Sequence, residues 1–515
     1  MSSDLTSAFL AGSLGDFVPK APGDLRAAAL VDRSRTDRGA VSAALLELNA
    51  RLGASHAVLA ACRRIADPGV LVVAAGQQTG LLTGPMYTVV KALTAAALAR
   101  RLEALGQPAV PVFWAASQDA DAAEMNHARI LDAGERLHTL RVDLPANRPA
   151  GSTPLEAGWV ERAAAWIERE SGLPYALDAG LLVRDAAGSS KTYAEWFAAI
   201  LLRILAAQAI PVLDPMQPAL AALAAPLLAA ELDAPARSAG AITEAGRSLA
   251  SAGLPAQLHR RADATNLFLE EDGERHALRV RDGRLATPAR EYTAARLRSI
   301  LAAEPWRITP AAGLRPVVQD LILPTAVAVV GPSELAYVAQ LKGVYALHDL
   351  EPALPWLRPS VTVVEPPVQR MLSARGLDLA SFLSDPAGAE LRAQVDAAGL
   401  ALALQTARAQ VQGALDMLRG RFDALVDESL AGSVERSRRG VLGHLERLER
   451  LAARAQAGKD ATVASQFRRL RAHLLPGGLP QERSLTVFSP WLRHGPRVVA
   501  ALAGAGTEGT HTVLL

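Results

Sequence analysis

The residues best suited to chemistry fall in three short stretches. The first, Gly76-Gln77-Gln78-Thr79-Gly80-Leu81-Leu82-Thr83-Gly84-Pro85, combines three glycines with four neutral hydrogen-bonding side chains. Glycine permits positive φ and close approach of a ligand to the backbone, and a helix starting after Pro85 would add the positive end of its dipole. Such a loop can hold phosphate or carboxylate oxygens. It has neither the Gly-Lys-Ser/Thr ending of a Walker loop nor the GxGxxG spacing, and a plain tight turn accounts for the same glycines. The candidate contacts are Gly76, Gln77, Gln78, Thr79, Gly80, Thr83 and Gly84, with Tyr87 and Lys91 on the helix that follows.

The second stretch, Gln118-Asp119-Ala120-Asp121, runs on to Asn126 and sets two carboxylates at alternate positions. Such a pair can hold Mg²⁺ beside phosphate oxygens, accept a proton from an attacking amine, or grip an ammonium group. An acidic helix cap is the plainer alternative. The third stretch joins Leu314-Arg315-Pro316-Val317-Val318-Gln319-Asp320 to Gly331-Pro332-Ser333-Glu334-Leu335-Ala336-Tyr337 and then Lys342. Here Ser333 would cap a helix that carries Glu334 and Tyr337 on one face. Arg315 and Lys342 are the cations for a substrate carboxylate. The competing structural roles are an Arg315–Asp320 ion pair and a Glu334 that serves the helix dipole.

Positioning these stretches requires a parallel sheet. Gly69 to Ala75 is a continuous apolar run, as expected of a strand buried on both faces, and helical spacing follows from Pro85 until Gly106-Gln107-Pro108 stops it. With a second apolar run, Ala109 to Ala115, this makes a βαβ unit. Ligands of such sheets sit beyond the carboxyl ends of the strands, where both loops lie. The sheet is expected to resume with Leu321 to Val330 and Ser360 to Val364. Between the βαβ unit and this resumption, about Thr153 to Pro310 reads as insertions, including a hairpin from Asn266 to Leu285 that turns at Glu271-Asp272-Gly273.

Later in the chain, Val411, Leu415, Leu418, Phe422 and Leu425 alternate spacings of four and three, as do Val441, Leu445, Leu448, Ala452 and Ala455. A break at Ala431-Gly432-Ser433 would fold them into an antiparallel helical hairpin, whose seam is covered by itself or by a second subunit. A helical bundle flank is the alternative.

Bulk composition narrows the function classes. The 515 residues are half apolar, enough for more than one core. Lys and Arg total 54 against 52 Asp and Glu, so no field for nucleic acid arises. One cysteine, Cys62, excludes a disulfide framework and any multi-cysteine metal site, and the histidines show no ligand spacing, so no metal ligand set is assigned. The N-terminal stretch lacks a basic start and a long apolar run, and no run reaches the roughly 20 residues of a membrane span. The expectation is a cytoplasmic protein without a membrane partner.

Four blocks, GQQTGLLTGPMYTVVKALTA, VPVFWAASQDADAAEMNH, LRPVVQDLILPT with GPSELAYVAQLK, and LLPGGLPQERSLTVF, resemble the bacillithiol biosynthesis cysteine-adding enzymes (BshC), in the family's order across nearly the whole chain. The resemblance implies an α/β fold: a Rossmann-like nucleotide-binding core with inserted connecting segments and a C-terminal α-helical coiled coil associated with homodimers. On this chain the core would span 1–152 and 311–387, the insertions 153–310, the coiled arm 388–475, and a segment returning to the core 476–515. The implied activity is ligation of cysteine to glucosaminyl-malate, with ATP or a related nucleotide and Mg²⁺ activating the carboxylate. Asp119, Asp121 and Arg315 would be catalytic, and Gln118, Asn126, Gln319, Gly331, Glu334, Tyr337 and Lys342 would join the loop residues in binding. Where the family reads Glu-Asp-His-Asp this chain reads Gln118-Asp119-Ala120-Asp121, so that imidazole is not available as a general base, and the alternatives are a diverged nucleotidyltransferase or ligase with another acceptor and a non-catalytic coiled-coil scaffold.

Overall fold

The structure, a computed structural model, describes residues 5–170, 172–396, 400–425, 431–456 and 461–515. The chain divides into two compact units, one of residues 1–362 with 482–513 and 515, the other of residues 363–481 with 514.

The first unit is Rossmann-like and is built on β1 (Leu71–Gln78), α1 (Tyr87–Ala104), β2 (Ala109–Ala116), β3 (Val212–Leu213), α2 (Arg315–Ile322), β4 (Thr325–Val330), α3 (Pro332–Val338) and β5 (Leu354–Leu357). The sheet order is β5-β4-β1-β2-β3, with every neighbouring pair parallel. Leu71 to Ala75 are all buried, which is why their sequence shows no polar alternation. In register, Leu71 faces Ala109 and Gln78 faces Ala116, so both strands end together beside the candidate loops. The chain leaves β1 for β2 on one side and returns to β4 on the other, placing the reversal of strand order between β1 and β4.

Several details differ from the sequence reading. Gly76, Gln77 and Gln78 close β1 itself and are not loop residues. Leu321 and Ile322 end α2, and β4 starts only after Pro324. Ser360–Val364 does not join the central sheet; the Ser360 N–H donates to Gly509 O, and β5 takes the edge position instead. The 153–310 segment is not purely inserted, because its Val212–Leu213 extends the sheet beyond β2. The rest of that segment forms helices and an antiparallel sheet whose main hairpin pairs Ala264–Glu271 with Glu274–Arg281. Its turn lies at the expected place, with Asp272 and Gly273 both at positive φ.

In the second unit, Val368, Met371 and Leu372 pack with Phe382, Ala389, Val463, Phe467, Leu470 and Leu474 in one buried cluster. That packing assigns residues from Val363 onward to the helical unit, where the sequence reading keeps 311–387 with the core. Helices Leu400–Leu425 and Ala431–Gln456 pack antiparallel: Arg408 pairs with Glu446 at 3.5 Å and Arg438 with Asp416 at 3.2 Å, so one number rises as the other falls. Ala431-Gly432-Ser433 are the first residues of the second helix, and the stretch 426–430 between the two helices lies outside the described residues. The seam side chains Leu425, Ala452 and Ala455 lie outside the described residues. Among the described residues no single helix is long and apolar enough to cross a membrane.

Candidate active site

A cleft of about 470 Å³ opens at the carboxyl ends of β1, β2 and β4, inside the first unit. Its volume lies within the range of small-molecule sites. Gly76, Gln77 and Gln78 form one wall, α2 brings Arg315 and Gln319, α3 brings Glu334 and Tyr337, and Asp119 enters from the end of β2. Residues as far apart in sequence as Lys91 and Glu334, 243 positions, thus converge.

Lys91 stands at the centre of the wall. Its side chain is 2% exposed. It donates to Gly76 O at 2.9 Å, Gln77 Oε1 at 3.0 Å and Glu334 Oε2 at 2.5 Å. Burial pushes the Lys91 ammonium below its ordinary range, against the opposing pull of Glu334. Glu334 Oε2 also accepts from the Gly331 N–H at 2.6 Å. The α3 start is therefore capped by Glu334 reaching back to Gly331, and Gly331, not Ser333, is the capping position.

Arg315 meets Asp119 as a fork, Nη2 to Oδ1 at 2.6 Å and Nη1 to Oδ2 at 3.1 Å. Burial works to lower the guanidinium pKa, but Asp119 outweighs it and holds Arg315 above its ordinary range. Arg315 Nε is buried with no partner among the described residues. The alternative pair with Asp320 does not form. Asp320 instead accepts from Tyr345 at 2.8 Å and the Ala353 N–H at 2.9 Å, and lies 3.6 Å from Arg33. Burial also raises the phenols of Tyr87 and Tyr337, so both stay protonated donors at neutral pH.

Other expected residues lie elsewhere. Asp121 is exposed and accepts from the Ala123 and Glu124 N–H groups as a helix cap, so it does not pair with Asp119 in the cleft. Lys342 is exposed and donates to Asp16 O at 3.0 Å, away from the cleft. Thr79, Thr83 and Gln118 are buried outside its lining, and Asn126 accepts from Arg141 at 3.4 Å. The glycines serve the turn: a Cβ on Gly80 would lie 2.7 Å from Gly84 Cα, and Gly84 sits at φ 67°. The α1 start is not a bare anion site either, since the Met86 N–H donates to Leu485 O at 2.8 Å.

Sequence reasoning missed Arg358 and Arg483, both of which line the cleft. Arg358 lies over the Tyr87 ring at 5.0 Å and pairs with Glu482 at 2.8 Å. Arg483 stands in the fourth sequence block, whose Gln-Glu-Arg was the available signal. Cys62 is buried, its thiol pushed up to about 12 by desolvation, so it is no nucleophile.

Residues 23–359 match the family description "Bacillithiol biosynthesis BshC, N-terminal Rossmann-like domain" and residues 361–514 match "Bacillithiol biosynthesis BshC, C-terminal coiled-coil domain". A relative from Thermus thermophilus, named "Putative cysteine ligase BshC", is 41% identical over 465 residues, which cover 89% of this chain and 90% of the relative. Relatives of the same name from Solibacter usitatus, 33% identical over 91% of this chain and 87% of their own, and from Symbiobacterium thermophilum, 31% identical over 90% and 87%, are similar throughout. With both portions matched in order, and the matched blocks supplying the walls of the cleft, the chain belongs to the bacillithiol biosynthesis BshC family.

Proposed function

We propose that the protein is a cysteine ligase that joins the carboxyl of L-cysteine to the amine of glucosaminyl-malate, forming bacillithiol in the cytoplasm. The observation that carries this reading is the cleft at the strand ends on which Gln77, Lys91, Asp119, Arg315 and Glu334 converge. The relatives' printed name supplies the reaction class.

A free carboxylate resists attack by an amine. ATP or a related nucleotide, when bound, supplies the leaving group that overcomes this. Arg315 offers its unpartnered Nε to a substrate oxygen while Asp119 holds the guanidinium in place. Glu334 uses Oε2 for both of its hydrogen bonds, which leaves Oε1 to accept a proton from the attacking amine. Tyr87 and Tyr337 donate hydrogen bonds to ligand oxygens. The residues do not fit Mg²⁺ on an Asp119–Asp121 pair, because one carboxylate is held by Arg315 and the other caps a helix. No step is therefore routed through a metal.

Homodimerisation belongs to the same reading. Leu402, Met417, Leu418, Leu448 and Leu451 are 48–72% exposed on the two long helices, an apolar load that a second copy would cover. The test of function is purified protein with glucosaminyl-malate, cysteine, ATP and Mg²⁺, read by mass spectrometry. Bacillithiol with stoichiometric nucleotide cleavage is expected. Coupling to another amine instead would reassign the acceptor, and no coupling with any amine would end the ligase reading.

A further inference from the structure

Beside the main cleft lies a second cavity of about 210 Å³, also within the first unit. Gln77, Gln78, Tyr87, Glu124 and Arg483 line both spaces, so one ligand can extend from the larger into the smaller. The smaller one is basic. Arg129, Arg483 and His127 face it, against the single carboxylate of Glu124.

Arg129 and Arg483 differ from the other cations along these walls in lacking carboxylate partners. Lys91, Arg315 and Arg358 are each matched to a carboxylate. Among the described residues, Arg129 and Arg483 have no carboxylate within 4.0 Å, and Arg129 Nε is buried without a hydrogen-bond acceptor. Ser484, 6% exposed, lines the same cavity, and its hydroxyl is buried and likewise unpartnered. The walls are firmly joined, since the Thr486 N–H donates to Arg129 O at 3.0 Å. Burial, then Arg129 and Arg141, hold His127 below the ordinary imidazole range, as a positive surrounding would. Buried donors without acceptors are costly, and a ligand that supplies anionic oxygens removes that cost.

We propose that this cavity is a carboxylate subsite, in which Arg129, Arg483 and the Ser484 hydroxyl receive a small dicarboxylate group of the substrate that reaches over from the main cleft. The assignment rests on the ligase reading for its occupant, the malyl arm of the acceptor. The two guanidinium groups come from different elements, so two carboxylates separated along a short carbon chain meet them better than one phosphate centre does.

The test is isothermal titration of the full-length protein with L-malate and, separately, with inorganic phosphate. Wild-type protein is expected to bind malate saturably and more tightly than phosphate, and Arg129→Gln or Arg483→Gln should weaken malate at least tenfold. Arg483 is exposed, so its variant folds even if the Arg129 variant does not. Arg101→Gln, which changes an arginine bound to Thr507 and Glu508, should leave malate affinity unchanged. Equal malate affinity in wild-type and Arg483→Gln, phosphate preferred over malate, or no malate binding at all would each overturn the subsite. Binding needs no turnover, so malate bound by a protein that makes no product sinks the ligase reading alone. An active ligase whose acceptor KM is unmoved by Arg483→Gln sinks the subsite alone.

Discussion

Replacing Lys91 by methionine tests how the cleft wall is held. The substitution keeps the apolar stem and removes an ammonium that serves three acceptors: Gly76 O, Gln77 Oε1 and Glu334 Oε2. Removing one partner of a fully buried ion pair costs about 3–5 kcal/mol. Here the Lys91 side chain is 2% exposed but Glu334 is 29% exposed. Water can reach the stranded carboxylate, and the loss should fall to about 2–3 kcal/mol. Because burial outweighs Glu334 in setting the Lys91 pKa, the pair does not fully offset its own desolvation. Lys91→Met with Glu334→Gln should therefore cost no more than Lys91→Met alone, a coupling of about 1–2 kcal/mol. Urea unfolding of the four proteins measures this. The lowered pKa adds a sign: below 10.5 but above the native value, the unfolded chain holds the proton that the native chain has lost, so stability rises with pH there. Lys91→Met removes that rise. Strictly additive single and double variants, or an alkaline profile identical to wild type, would refute the account of the wall.

Three further outcomes follow from other parts of the molecule. Asp121→Ala should cost about 0.5–2 kcal/mol as a lost helix cap and leave ligase turnover within about twofold, since the side chain caps a helix and is not part of the cleft lining; a kcat falling by orders of magnitude would restore it to catalysis. Burial raises Asp214 from 3.8 to about 6, so the native state holds its proton longer and stability falls as pH rises through that window, by at most about 3 kcal/mol. Asp214→Asn, which can still accept from Ser117 and the Met216 N–H, should flatten that slope in urea titrations at pH 4 to 6.5. Leu448→Lys, at a side chain 55% exposed on the second long helix, should convert a dimer to a monomer in light scattering without loss of helicity; a wild-type monomer would contradict the dimer.

The parts legible in the sequence were those with local physical signatures. Continuous apolar runs marked β1 and β2 because both faces of a parallel sheet are covered, and Asp272-Gly273 marked its hairpin because two positive φ values need such residues. Val212–Leu213 is too short for periodicity, and β5 is a four-residue strand with Pro355 inside it, which only an edge position tolerates and which leaves no strand signature in the sequence. Ser360–Val364 has the apolar, β-branched look of a core strand, yet which strand it joins is a tertiary matter. The site divided in the same way. Asp119 and Asp121 look alike in sequence, and only an arginine 196 positions away distinguishes them. Arg129 and Arg358 belong to no motif, Arg483 stands in the fourth block without a spacing that marks it, and folding alone gives each its surroundings.

The central strand of the sheet has neighbours of very different age during synthesis. β2 follows β1 within forty residues, whereas β4 arrives only after the intervening two hundred have been made. Until then one edge of β1 carries unpaired amides and carbonyls beside a run of valines, the template on which strands of separate nascent chains add to each other. Expression yield should therefore depend on how fast the later half of the chain emerges, and truncations ending before residue 325 should aggregate even though their βαβ unit is complete.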